Sequence, residues 1–148
     1  MAFRFPLQAV LHFRQSIEHQ HELRLRAANQ LVARTRHLLE QLDARLQQLH
    51  AGQTHHLETG ASGAELRFAA ACETSIHQHR ETLQRELVRA QNLRDEQQKI
   101  FQRARRERET FESVRDQQLR EYQREASRRQ QRQLDDLFLL RQAYLRRG

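Results

Sequence analysis

The sequence predicts an all-α protein, a long two-helix antiparallel coiled coil (a helical hairpin) with an overhanging C-terminal helix. Three observations carry that expectation. Proline occurs once and glycine four times in 148 residues, and the remainder is rich in Leu, Ala, Arg, Gln and Glu, all strong helix formers. Apolar residues recur at seven-residue spacing in two separate runs. Three of the four glycines, Gly52, Gly60 and Gly63, fall in the one interruption between those runs.

The first run reads as a helix over about 7–51. Pro6 stands just before it, where a missing N–H costs nothing. Leu25, Val32, Leu39 and Leu46 alternate with Ala28, Thr35, Leu42 and Leu49, the three-four spacing of a coiled-coil seam. A turn is expected over about 52–63. Ser62-Gly63-Ala64-Glu65 then forms a capping box, in which the serine hydroxyl and the glutamate carboxylate each accept an N-terminal backbone N–H. The second helix is expected over about 64–146. Its stripe is Leu66, Ala69, Ile76, Leu83, Leu87, Ala90, Phe101, Ala104 and Phe111, with Arg80, Arg94 and Gln97 intruding.

A turn centred between residues 57 and 58 makes the numbers of facing residues add up to about 115. Leu49 then meets Leu66, Leu39 meets Ile76 and Val32 meets Leu83. Toward the termini the match weakens, with Arg14 opposite Phe101 and His21 opposite Arg94, so the open end is expected to be looser than the tip. At about 1.5 Å per residue the helices reach roughly 65–70 Å and 120–125 Å, which leaves residues from about 109 as an overhang. The whole chain, 1–148, reads as a single hairpin domain. Apolar residues on the overhang, among them Val114, Leu119, Tyr122, Leu134, Leu137, Phe138, Tyr144 and Leu145, call for a partner.

Composition narrows the function classes. Only 37% of residues are hydrophobic, 30% are charged and the mean hydropathy is −0.97, too little apolar surface for a large globular core. No apolar run approaches the roughly 18 residues that span a bilayer, and the opening residues lack the pattern of a secretory signal. A cytoplasmic protein is expected. Cys72 is the sole cysteine, which leaves no internal disulfide and no multi-thiolate metal site within one chain. Net charge is +7 and Lys99 is the only lysine. From Arg103 onward 13 arginines face 8 acidic residues, a bias that suits an acidic partner, nucleic acid or anionic lipid.

Catalytic chemistry is hard to place. A phosphate-binding loop needs glycines that let backbone N–H groups converge on an anion, and no such turn exists here. A two-helix hairpin offers hardly any enclosed pocket for a nucleophile and its base. The protein is therefore expected to be no enzyme, with no cofactor and no small-molecule substrate. Among the nine histidines, the groups His19 and His21, His55 and His56, and His77 and His79 have i,i+1 or i,i+2 spacing, whereas ligands sharing a helix face need i,i+3 or i,i+4. No metal is expected. The arginines at 120, 124, 128, 129 and 132 are interrupted by Glu121 and Glu125, with hardly any stacking aromatics, so nucleic acid is a minor alternative.

Three places together resemble the FliJ family, the coiled-coil component of the flagellar type III export apparatus. They are the opening Phe3-Arg4-Phe5-Pro6-Leu7-Gln8-Ala9-Val10-Leu11, the glycine-containing turn near one third of the length, and Gln130-Gln131-Arg132-Gln133-Leu134-Asp135-Asp136. In the last, Asp136 stands where glutamate is common and Arg132 where lysine is common, so the charge pattern survives. The resemblance implies a non-enzymatic stalk or adaptor that docks into the flagellar export ATPase ring and contacts the membrane export gate and export chaperones. It would be cytoplasmic, peripheral to the inner-membrane export apparatus. On that likeness, ring contact falls on Phe5, Leu7, Arg128, Arg132, Leu134, Asp135 and Asp136. Gate contact falls on Phe68, Cys72, Ser75 and His79, at the i, i+4, i+7, i+11 spacing of one helical face. The equivalent stalk of a virulence type III secretion system, a basic nucleic-acid-binding coiled coil and a plain structural homodimer stay open as alternatives.

Overall fold

The computed structural model describes residues 2–148. Two α-helices, α1 (Gln8–Thr59) and α2 (Gly63–Arg147), pack against each other as a helical hairpin, and no strand occurs among the described residues. The start of α1 is set by the turn through Pro6 and Leu7, where the Phe5 carbonyl accepts from Gln8 N–H at 3.1 Å. The start of α2 is the expected capping box: Ser62 N–H donates to Glu65 Oε2 at 3.3 Å, and Glu65 N–H donates to Ser62 Oγ at 3.2 Å.

The link between the helices is shorter than the glycine pattern suggests. Helix α1 runs through Gly52 to Thr59 instead of stopping near 51, leaving only Gly60, Ala61 and Ser62 outside helix. Gly52 is tolerated inside a helix at a cost of about 1 kcal/mol, and a Cβ there would meet nothing within 4 Å. Gly60 is the residue that ends α1, at φ +89°, a left-handed conformation that L side chains rarely adopt.

The later turn moves the register by roughly one heptad, about 7–8 residues, from the expected one. Arg80 Nε lies 2.8 Å from Asp43 Oδ1, and His50 Nε2 lies 3.1 Å from Glu73 Oε1. The expected pairing had put Asp43 level with Cys72. A seven-residue repeat matches itself after a shift of seven, so the pattern of apolar residues could not separate the two registers; the turn does.

Contacts divide the chain into two compact units, to which both helices contribute. In His19–Gln102 the core is Ala28, Val32, Leu42, Leu83 and Ala90, with Thr35 buried among them. The Thr35 hydroxyl is satisfied by donating to the Leu31 carbonyl at 2.9 Å. Nearer the turn the packing opens, because Leu57, Leu66 and Phe68 are exposed. Leu66 was expected opposite Leu49, and the displacement of about one heptad sets it instead in the last layers before the turn, where it is exposed.

The second unit is Met1–Glu18 with Arg103–Gly148. Its core is Phe5, Leu11 and Ala104, and among the described residues Leu11 is the one large side chain fully removed from solvent. Charged layers complete it. Arg14 Nη1 donates to Glu107 Oε2 at 2.6 Å and its guanidinium lies 5.9 Å from the Phe111 ring centroid. Arg108 donates to Glu18 and to Glu112, with both Arg108 and Glu18 largely removed from solvent. The Glu18 carboxylate beside it raises the Arg108 guanidinium pKa further, against the opposing effect of burial. The open end is thus packed and paired, contrary to the expected looseness.

Leu11→Ala should cost about 2–5 kcal/mol in urea unfolding, while Leu137→Ala on an exposed face should stay within about 0.5 kcal/mol. Gly60→Ala should destabilise by about 1–2 kcal/mol, and Gly52→Ala should stabilise by about 0.5–1 kcal/mol, read by thermal unfolding in far-UV circular dichroism. Equal effects at the two glycines would contradict the left-handed assignment of Gly60. Glu73 supplies a pH test: its hydrogen bond to His50 lowers the carboxyl pKa, opposed by partial burial and aided by the charges of His50 and His77. A lowered folded-state pKa means that the stabilisation is complete above the ordinary carboxyl value and is lost as pH falls through the lowered one. Glu73→Gln should therefore flatten the acid side of the melting-temperature profile as pH falls below the ordinary carboxyl range.

Candidate functional site

Two surfaces hold the residues that the sequence singled out. The first lies on the unit of Met1–Glu18 with Arg103–Gly148. The segment before α1 lies along α2, with Phe3 and Tyr122 rings 5.6 Å apart. Phe3, Phe5 and Pro6 border Arg115 and Leu119 in one groove of about 620 Å³. Phe3, Arg4 and Pro6 border Tyr122, Arg124, Glu125 and Arg128 in another of about 610 Å³. The segment thus reaches well past residue 109 along α2, and the overhang begins after Tyr122, beyond which every residue of α2 is exposed.

The seam ends chemically where the packing ends. Along α2, Ala104, Phe111 and Gln118, and likewise Arg108, Arg115 and Tyr122, are buried or half-buried at seven-residue spacing. The same two series continue as Glu125 and Arg132, and as Arg129 and Asp136, all exposed and charged. Polar side chains at these positions let the arm stand in water without a helix against its seam.

Of the residues assigned to ring contact, Arg128, Arg132, Leu134, Asp135 and Asp136 lie exposed on the arm, and Leu7 is also exposed. Phe5 is different: only 8% of it is accessible, so it anchors the preceding segment in the core and has little surface to offer a partner. Arg4 and Arg128 share a groove with Glu121 and Glu125, a mixed surface with three arginines, Arg4, Arg124 and Arg128, against two carboxylates. Further along, Gln131 Nε2 donates to Asp135 Oδ1 at 3.0 Å, and Arg129 lies 3.5 Å from Glu125. These are exposed contacts, each a minor contribution to stability.

The second surface is on the unit His19–Gln102. Phe68 is 73% exposed and walls a groove of about 600 Å³ with Leu49, Gly52, His56 and Ala69. Cys72 is half-buried, while Ser75 and His79 are exposed. All four sit on α2, but only Phe68 lines the groove. On the same unit, His50 and His77 both approach Glu73 Oε1, at 3.1 and 3.6 Å. The i,i+4 pair Glu73 and His77 was legible in the sequence; His50 joins it only through the register. Among the described residues no group of three or more His, Cys, Asp or Glu is arranged to hold a metal ion.

No helix among the described residues is long and apolar enough to cross a membrane. No curated protein and no solved structure matches the chain. A family model described as the flagellar FliJ protein does match, over residues 3–148. That span includes the opening segment against α2, the turn and the exposed arm, and the chain belongs to the FliJ family.

Proposed function

We propose that the protein is the stalk of a flagellar type III export apparatus and that the arm of α2 beyond Tyr122 docks into the export ATPase ring. The carrying observation is the exposed arm itself: charged seam positions, with Leu134 exposed beside them, on a helix whose every residue beyond Tyr122 is exposed. A surface of that kind is stable in water yet has apolar area to bury against a partner. Arg128, Arg132, Leu134, Asp135 and Asp136 would form the ring contact, with Leu7 beside the start of α1; Phe5 supports them from the core. Phe68, with its groove, is the strongest candidate for contact with the export gate, and Cys72, Ser75 and His79 continue from it along α2. Export chaperones are further partners of the same adaptor, which would act in the cytoplasm next to the membrane apparatus without catalysing a reaction itself.

A binder changes its partner's turnover only by differing in affinity for the partner's states. The arm would therefore favour the assembled or active arrangement of the ring. Added to the cognate export ATPase, the protein should raise ATP hydrolysis. Arg128→Glu with Arg132→Glu should weaken the apparent affinity about tenfold while leaving the helical circular dichroism unchanged. No rise with the full chain would overturn the ring assignment. The virulence-system stalk is separated by the same assay, run with each ATPase in turn.

A further inference from the structure

The distal turns of α2 carry a second face that is distinct from the hairpin seam. Leu134, Leu137, Phe138, Arg141, Tyr144 and Leu145 recur at i, i+3, i+4, i+7, i+10 and i+11, one side of an α-helix. The apolar members are 55–80% exposed. The seam series passes instead through Glu125, Arg129, Arg132 and Asp136 and then Leu139, Ala143 and Arg146, on the opposite side of the helix, so this face is not a hairpin surface left over from a missing stretch of α1. The segment after Asp136 carries charge of one sign, Arg141 within the face and Arg146 and Arg147 off it at the end of the helix, with no acidic residue.

We propose that this face, over residues 137–147, lies on an anionic lipid surface, with Leu137, Phe138 and Leu145 in the acyl boundary and the three arginines at the phosphates. The position of Arg141 selects lipid over the other occupants of an apolar face. It sits in the middle of the apolar arc. In an apolar protein groove its guanidinium would be buried without a partner, and in a symmetric pair of arms two such cations would be drawn together. At a lipid surface the arginine stem covers apolar area while the guanidinium reaches back to the phosphates. Tyr144 has the amphipathic ring suited to the same boundary. The three arginines complement the negative charge of the headgroups, an attraction that acts within a Debye length of the surface. The segment is too short to span a bilayer, so it lies on the surface. Two anchoring contributions, apolar and electrostatic, are both required, because each alone binds weakly.

The test is flotation of the full chain with vesicles of phosphatidylglycerol and phosphatidylcholine, and with phosphatidylcholine alone. These vesicles contain no protein, so the outcome is independent of ring docking. Binding is expected with the anionic vesicles, weakened by salt and much lower on the neutral ones. Phe138→Glu with Leu145→Glu should reduce it by at least about tenfold, as should Arg141→Glu, Arg146→Glu and Arg147→Glu together. Arg24→Glu, Arg34→Glu and Arg45→Glu, an equal charge change on exposed positions of α1, should alter it less than about threefold. Absence of flotation overturns the proposal. So does an equal loss in the two arginine triples, which would mean net charge alone, or indifference to the Phe138 and Leu145 pair. A full-length chain that sediments as a dimer, is dissociated by Phe138→Glu with Leu145→Glu and ignores vesicles would assign the face to a second copy instead.

Discussion

Gly60 and the two residues after it decide which parts of the two helices meet. With φ at +89° the chain leaves α1 at Thr59, and the Ser62–Glu65 box starts α2 three residues later. Any register that differs by a whole heptad would superimpose the apolar stripes nearly as well. Only the place of the turn separates them. In the unit His19–Gln102 the pairs Asp43 with Arg80 and His50 with Glu73 follow from that choice, and in the other unit Arg14 pairs with Glu107 and Glu18 with Arg108.

Those pairs explain how a chain with so few hydrophobic residues sustains a long interface. The fully apolar layers are few, and between them stand arginines whose charges would be costly to desolvate alone. Each finds a carboxylate or a ring at the level where the register brings it. Arg108 has Glu18 and Glu112, and Arg14 has Glu107 and the Phe111 face. A slip by one heptad would leave the apolar layers filled but would part Glu18 from Arg108, leaving charges half out of water without partners. The charged layers thus penalise a slip that the apolar stripe alone would tolerate.

The arm shows two chemistries on one helix. Up to Tyr122 its seam is occupied by the segment before α1, which Phe5 and the Phe3–Tyr122 contact hold in place. Past that point the seam turns charged, and from Leu134 a separate apolar face begins on another side of the helix. The proposed ring residues Arg128, Arg132, Asp135 and Asp136 lie off the apolar face proposed for lipid, and Leu134 stands where the two surfaces meet. An arm with this arrangement can serve as an adaptor without any enclosed site.

Much of this was readable from residue order alone. Helix is dictated by the scarcity of Gly and Pro, the seam by heptad spacing, and the start of α2 by Ser62 and Glu65, because backbone propensity, periodicity and capping are local properties. The arm residues Arg128, Arg132, Leu134, Asp135 and Asp136 were singled out by the family resemblance, and all five are exposed. Tertiary structure decided the rest. It chose Gly60 over Gly52 as the end of α1, buried Phe5, brought His50 to Glu73 and moved the start of the overhang from about 109 to beyond Tyr122. All but the first depend on which residues of the two helices lie side by side, a relation between distant residues that a repeating pattern leaves undetermined by multiples of its own period.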